Sequence, residues 1–169
     1  MPANLGNDFL HEEPPAYGGG SSKPSPILLY LRKVEAAHKE ENDTEHTHRP
    51  ALKTLLESLD PRIIATNEPK RIECGAPDLV ITRKKDSLRI GNVEAKDIGV
   101  SLNEAKKSEQ LQRYLPALSN LLLTDYLEFR WFVDGAERER FCLAEIKRGQ
   151  FVFDAAKFSH AEKVLKEFL

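Results

Sequence analysis

The chain has 169 residues, of which 40% are hydrophobic and 31% charged, with a net charge of −2. That size fits one ordinary domain with a sizeable core, and the near-neutral charge means that any nucleic-acid contact must come from local clusters. No apolar run approaches the ~20 residues of a bilayer span, nothing at the N-terminus reads as a secretory signal, and two cysteines far apart (Cys74 and Cys142) exclude a disulfide framework or a cysteine-rich zinc site, so a cytoplasmic setting without a membrane is expected.

Proline, glycine and serine dominate "EEPPAYGGGSSKPSP", which predicts a flexible leader over residues 1–25 and a single folded domain over 26–169. "ILLYLRKVEAAHKEE" has helical spacing at Ile27, Leu28, Leu31 and Val34. "RPALKTLLESL" predicts a second helix with Leu52, Leu55, Leu56 and Leu59 on one stripe; Pro50 belongs in a first turn, so this helix is expected to begin near Thr47. Glu57 falls off that stripe and reads as exposed. Three strands follow, in "RIIATN", "PDLVITR" and "RIGNVEAK", the last two joined by the bend "KKDSL". "SLNEAKKSEQLQRYLPALSNLL" reads as one helix, opened by a Ser101–Glu104 capping box and buried through Leu111, Leu115, Leu118 and Leu122. "YLEFRWFV" and "RFCLAEI" read as strands about the tight turn "DGAE", with Trp131 in the core, and "AKFSHAEKVLKEFL" as a closing helix. The fold class is α/β, a mixed central β-sheet flanked by helices.

The chemistry concentrates in "PDLVI" and "NVEAK". Residues i and i+2 of a strand share a face, so Glu94 and Lys96 project together while Ala95 faces the other way. If the two strands pair, Asp78 reaches the same end of the sheet. Two carboxylates crowded together repel, and a divalent cation with a taste for hard oxygen ligands relieves that repulsion. A lysine beside them can position or deprotonate a water, or steady the charge of a transition state. Such a set suits metal-assisted phosphodiester hydrolysis. On the following helix, Gln110 and Tyr114 are four apart and share a face, which Asn103 and Lys107 are expected to extend.

Pro77-Asp78 followed by Glu94-Ala95-Lys96 resembles the PD-(D/E)xK nuclease signature, and Gln110-Leu-Gln-Arg-Tyr114 resembles the QxxxY motif of its RecB-like members. "THRPALKTLLE", "NEPKRIECGAPDLVITR", "VEAKDIGVSL" and "QLQRYLPALSNLLLTDYLEFRW", over roughly residues 44 to 146, are similar to the N-terminal nuclease region of single-chain restriction-modification enzymes. These enzymes, of type ISP and type IIG-like kinds, fuse a nuclease to an adenine-N6 methyltransferase. The resemblance implies a restriction-endonuclease-like core and a Mg²⁺-dependent (or Mn²⁺-dependent) DNA endonuclease. It implies Asp78, Glu94 and Lys96 as catalytic residues; Asp78, Glu94 and Ala95 as metal ligands; and Gln110 and Tyr114 as residues that orient the site. The superfamily often adds an acidic residue from its first helical region, and Glu45 is the candidate; a polar residue in the entry turn is the alternative. This chain carries neither an NPPY-type methyltransferase motif nor a Walker A loop, so methyltransferase, translocase or target-recognition modules are expected in cis or in trans. The two cysteines are too few for the iron–sulfur cluster of some RecB-like relatives.

Other features read more plainly. His46 and His48 lack a third metal ligand at convincing spacing and suggest a solvated turn. Cys74 suggests a packed thiol. Among the small basic clusters Lys70-Arg71, Arg83-Lys84-Lys85 and Lys106-Lys107, phosphate contacts are expected chiefly from Lys107, joined by Arg113. Two rival functions share this sequence: a stand-alone repair or recombination nuclease, and a catalytically silent DNA-binding or docking module.

Overall fold

The computed structural model describes residues 24–40, 44–67 and 75–169. The expected leader, apart from its last two residues, and Lys70, Arg71 and Cys74 lie outside the described residues. Helix α1 (Pro26–His38) starts on Ser25, whose hydroxyl accepts from the Ile27 N–H at 3.2 Å. Proline occupies the first helical position, where a missing N–H costs nothing. The buried stripe of α1 is Ile27, Tyr30, Leu31 and Val34. It packs against α2 (Glu45–Leu59), which buries Leu52, Leu55, Leu56 and Leu59. The expected start of α2 near Thr47 is corrected. The helix opens at Glu45, because Thr47 Oγ1 accepts from the Thr44 N–H at 3.2 Å and closes the first turn two residues earlier. Pro50 therefore sits in the second turn, where one intrahelical hydrogen bond is given up.

Strands β1 (Ile63–Asn67), β2 (Leu79–Arg83), β3 (Arg89–Ala95), β4 (Asn120–Thr124), β5 (Glu128–Val133) and β6 (Ala136–Cys142) form one six-stranded sheet in that order. Only the β3–β4 pairing is parallel; the other four are antiparallel. A parallel pair needs a long crossover. Here it is supplied by α3 (Leu102–Lys107) and α4 (Glu109–Ala117).

This crossover corrects the single helix expected over 101–122. Ser108 ends α3 and caps α4, its hydroxyl accepting from the Leu111 N–H at 3.3 Å. Leu118 ends α4, and Leu122 lies on β4 rather than on the helix. The cause is the run Leu121-Leu122-Leu123, buried on both faces of the sheet. A short apolar run of this kind has no period to separate strand from helix.

Helices cover both faces. Leu122, Val93 and Ile81 join α1, α2 and α5 (Phe158–Phe168) in the larger core. Leu121, Leu123 and Phe132 point to the other face and pack with Leu111, Tyr114 and Leu115 of α4. Trp131 lies in the larger core, edge-on to Phe168. A short hairpin, β7 (Glu145–Lys147) and β8 (Gln150–Val152), was not foreseen; its turn uses Arg148 and Gly149 at positive φ. Among the described residues no helix is long and apolar enough to cross a membrane.

Candidate active site

The register of β2 on β3 pairs Leu79 with Val93, so the next step outward brings Asp78 beside Glu94. The Ala95 N–H donates to Asp78 Oδ2 at 2.7 Å, which fixes the carboxylate across the strand gap. Glu94 is 2% exposed, and its Oε1 accepts from Lys96 Nζ at 2.6 Å. Strand alternation explains the pair: the two residues lie on one face, with Ala95 turned into the larger core. The Lys96 N–H donates to the Thr124 carbonyl at 2.8 Å, so the parallel pairing with β4 runs one residue past the strand and holds Lys96 in line.

Helix α4 completes the arrangement. Lys96 Nζ also donates to Gln110 Oε1 at 3.1 Å, and Gln110 Nε2 donates to the Tyr114 hydroxyl at 3.3 Å. Tyr114 is buried against Gly75, just ahead of Pro77-Asp78. Gly75 has φ +132°, and a Cβ there would come within 2.9 Å of the Tyr114 hydroxyl. Only glycine suits both demands. The five residues singled out for strand and helix spacing thus form one continuous network. It runs from Asp78 through β3 to Glu94, Lys96, Gln110 and Tyr114, and returns to the backbone that leads into Asp78.

Three contributors were not foreseen. Arg49, on α2 and 6% exposed, bonds and ion-pairs with Asp78 Oδ1 through its guanidinium. It stands three residues before Leu52 and seven before Leu56, so it belongs to the apolar stripe of α2. An arginine on such a stripe was the available signal. Thr124 and Asp125 are the others. Asp125 Oδ2 accepts from the Gly99 N–H at 3.2 Å and ties down the loop after Lys96, while its Oδ1 accepts from Leu127 and Glu128. Burial pushes the Asp125 carboxyl up, against the pull of those N–H donors.

Other expectations are placed differently. Asn103 and Lys107 do not extend the Gln110 face, because the break at Ser108 puts them on a separate helix. Asn103 Oδ1 accepts from Arg130 at 2.7 Å, and Lys107 is an exposed partner of Glu104 at 2.8 Å. Arg113 is exposed on α4. Glu45 is the first residue of α2, one turn before Arg49; its side chain lies outside the described residues. Glu57 is half-buried rather than exposed, because its carboxylate takes the Ala65 N–H at 3.0 Å and pins α2 to β1. His48 is buried, not solvated: its ring packs 5.0 Å from that of Tyr126, because the earlier start of α2 turns it inward. An apolar groove between α1 and α2, lined by Leu29, Tyr30 and Leu55, is a feature separate from this network.

Chemically, the site sets two carboxylates against two cations at the edge of a buried sheet end. Ala95 can offer only its backbone carbonyl. Among the described residues no three His, Cys, Asp or Glu side chains cluster.

The fold of the described residues is similar to that of a chain in the cryo-electron microscopy structure of a DrdV–DNA complex, with a TM-score of 0.65 and 17% sequence identity. The match covers 85% of this chain and 14% of that one, so this chain spans about one-seventh of the neighbour's length. No family model matches the sequence, and no curated protein matches it.

Proposed function

We propose that the chain is a Mg²⁺-dependent DNA endonuclease domain of the PD-(D/E)xK type, the cleavage module of a restriction-modification system. The observation that carries this reading is the single hydrogen-bonded network of Asp78, Glu94, Lys96, Gln110 and Tyr114 at one end of the sheet. The DNA-bound neighbour of similar fold supports the choice of substrate.

The donor set fits Mg²⁺, or Mn²⁺ in its place. A carboxylate offers about four lone-pair sites, and Arg49 and the Ala95 N–H each take one on Asp78, leaving oxygen for a hard cation. Asp78, Glu94 and the Ala95 carbonyl would hold the ion. When bound, it supplies charge stabilisation at the phosphate and lowers the pKa of water. The chain's own residues do the rest. Lys96 Nζ, poised between Glu94 and Gln110, orients an attacking water and steadies the developing negative charge. Gln110 fixes the lysine ammonium, and Tyr114 fixes Gln110. A phosphodiester lies on the outside of a duplex, so an open sheet end suits it better than a deep cavity.

No groove-reading element is built from these residues, and phosphate contacts alone position DNA without reading it. Sequence recognition is therefore assigned to other modules, in cis or in trans.

The test is digestion of a long random duplex by the chain with Mg²⁺ or Mn²⁺, followed by sequencing of the ends. Slow, scattered cutting that EDTA stops is expected. Duplex binding with no cutting under any divalent cation would leave only a silent docking module. Cutting confined to branched DNA would point to a recombination nuclease.

A further inference from the structure

We infer that Asp125 is a positioning residue for Lys96: its carboxylate ties the loop after β3 to the β4–β5 turn and so keeps the lysine ammonium aimed at Glu94 and Gln110. This rests on the nuclease reading above and adds to it a residue that acts on the rate and not on metal binding. Lys96 stands one residue past the end of β3. Two N–H groups beyond that end are held from the same turn. The Lys96 N–H donates to the Thr124 carbonyl at 2.8 Å, and the Gly99 N–H donates to Asp125 Oδ2 at 3.2 Å. The turn is in turn held by the helices. Tyr126 is buried at φ +73°, a costly conformation for an aromatic residue that persists only where the surroundings impose it. The Tyr30 hydroxyl of α1 donates to the Tyr126 carbonyl at 2.8 Å, and the His48 ring of α2 lies 5.0 Å from the Tyr126 ring.

The bland alternative is that Asp125 serves its own turn alone. The choice of residue speaks against it. Asp125 Oδ1 takes both donors of the turn, the Leu127 N–H at 3.1 Å and the Glu128 N–H at 2.7 Å. An asparagine offers one such oxygen without a charge and is at home in turns of this kind. The position nevertheless holds a carboxylate that is 8% exposed, and burying a charge is costly. What the carboxylate adds is a second acceptor oxygen, and the Gly99 N–H is what uses it. An asparagine oriented for the turn would set its amide N–H against the Gly99 N–H, donor against donor.

The experiment compares the wild-type 169-residue chain with Asp125→Asn by residue-resolved amide exchange, by Mn²⁺ calorimetry and by single-turnover cleavage of a duplex with Mn²⁺. In Asp125→Asn the Gly99 amide is expected to exchange at least about threefold faster, with the Leu127 and Glu128 amides as in the wild type. The cleavage rate at saturating chain and Mn²⁺ should fall about tenfold, because the lysine loses its aim. Mn²⁺ affinity and the chain concentration for half-maximal rate should stay within about twofold, because the metal ligands keep theirs. Faster Gly99 exchange with an unchanged cleavage rate marks a merely structural tether and overturns the inference while leaving the nuclease reading intact. A rate loss matched by an equal loss of Mn²⁺ affinity, or Gly99 exchange that does not change, overturns it too. Should Asp125→Asn fail to fold, the wild type decides: a Gly99 amide that exchanges as freely as an exposed loop amide overturns the inference, and one protected like the Lys96 amide upholds it. A wild-type chain that cuts no duplex with any divalent cation removes both the nuclease reading and this inference.

Discussion

The two ends of the protein's charge pattern, the exit of β3 and the outer strand β6, treat similar ion pairs in opposite ways. On β6 the sequence "AERERFC" alternates between exposed and half-buried positions. Arg140 pairs with Glu137 at 2.5 Å with the arginine side chain 58% exposed, and Arg138 lies 4.7 Å from the ring centre of Trp131. Charge there guards an edge strand against pairing with another chain. On β3 the Glu94–Lys96 pair is 2.6 Å long, with side chains only 3% and 20% exposed. Taking such charges out of water costs more than their attraction returns unless further hydrogen bonds help. The Glu94–Lys96 pair receives such help from Gln110, whose Oε1 accepts from Lys96 Nζ, and on the reading proposed above its charges serve something other than folding.

The contrast is sharpest in activity. Alanine at Asp78, Glu94 or Lys96 is expected to lower the rate of metal-dependent DNA nicking by at least ~10²-fold, with circular dichroism unchanged. If plasmid nicking by each of the three matched that of the wild type, the buried pair would have lost its functional meaning.

Stability should separate the two pairs next. Lys96→Met leaves Glu94 buried beside an apolar group and should cost up to about 3 kcal/mol in urea unfolding. Adding Glu94→Leu should restore most of that, since a well-packed apolar pair replaces a buried ionic one. A double variant no more stable than Lys96→Met would break the argument that charge is held here against stability.

A smaller effect is expected one step away from the reacting groups. Gln110→Ala should slow nicking about tenfold, less than loss of Asp78, because it orients Lys96 and holds no metal. The order of the two rate losses, measured on one substrate, is the check. Smallest of all, Arg140→Ala on β6 should change stability by no more than about 0.5 kcal/mol and leave nicking untouched, as exposed pairs do. A larger loss in the urea midpoint would mean that the outer strand is not merely guarded.

Much of the sheet was readable in advance. The three strands of the first half and β5 fall where period-2 patterning and turn residues put them, with Asp134 and Gly135 both at positive φ, but β6 runs over Ala136–Cys142, four residues ahead of the strand expected from Arg140, and Glu145 and Ile146 belong to β7. Periodicity failed where burial erased it. Leu121 to Leu123 face two cores at once, and the serine at position 108 turned one long apolar stripe into two helices. The start of α2 lies two residues ahead of Thr47 because a capping threonine outweighs a proline, which then sits one turn deeper than its chemistry favours.

What the sequence determined by itself is local: Glu94 and Lys96 share a face because strands alternate, and Gln110 and Tyr114 share one because helices turn in 3.6 residues. These spacings are properties of the backbone and hold wherever the elements go. Tertiary structure decided who meets whom. Arg49 lies 29 residues from Asp78 and touches it only because α2 packs beside the entry to β2. Gly75 meets a tertiary demand beside that of its own φ, because α4 brings Tyr114 against it. Such contacts depend on how elements pack across the sheet, a choice set by the sum of many small burial energies and written in no single stretch of residues.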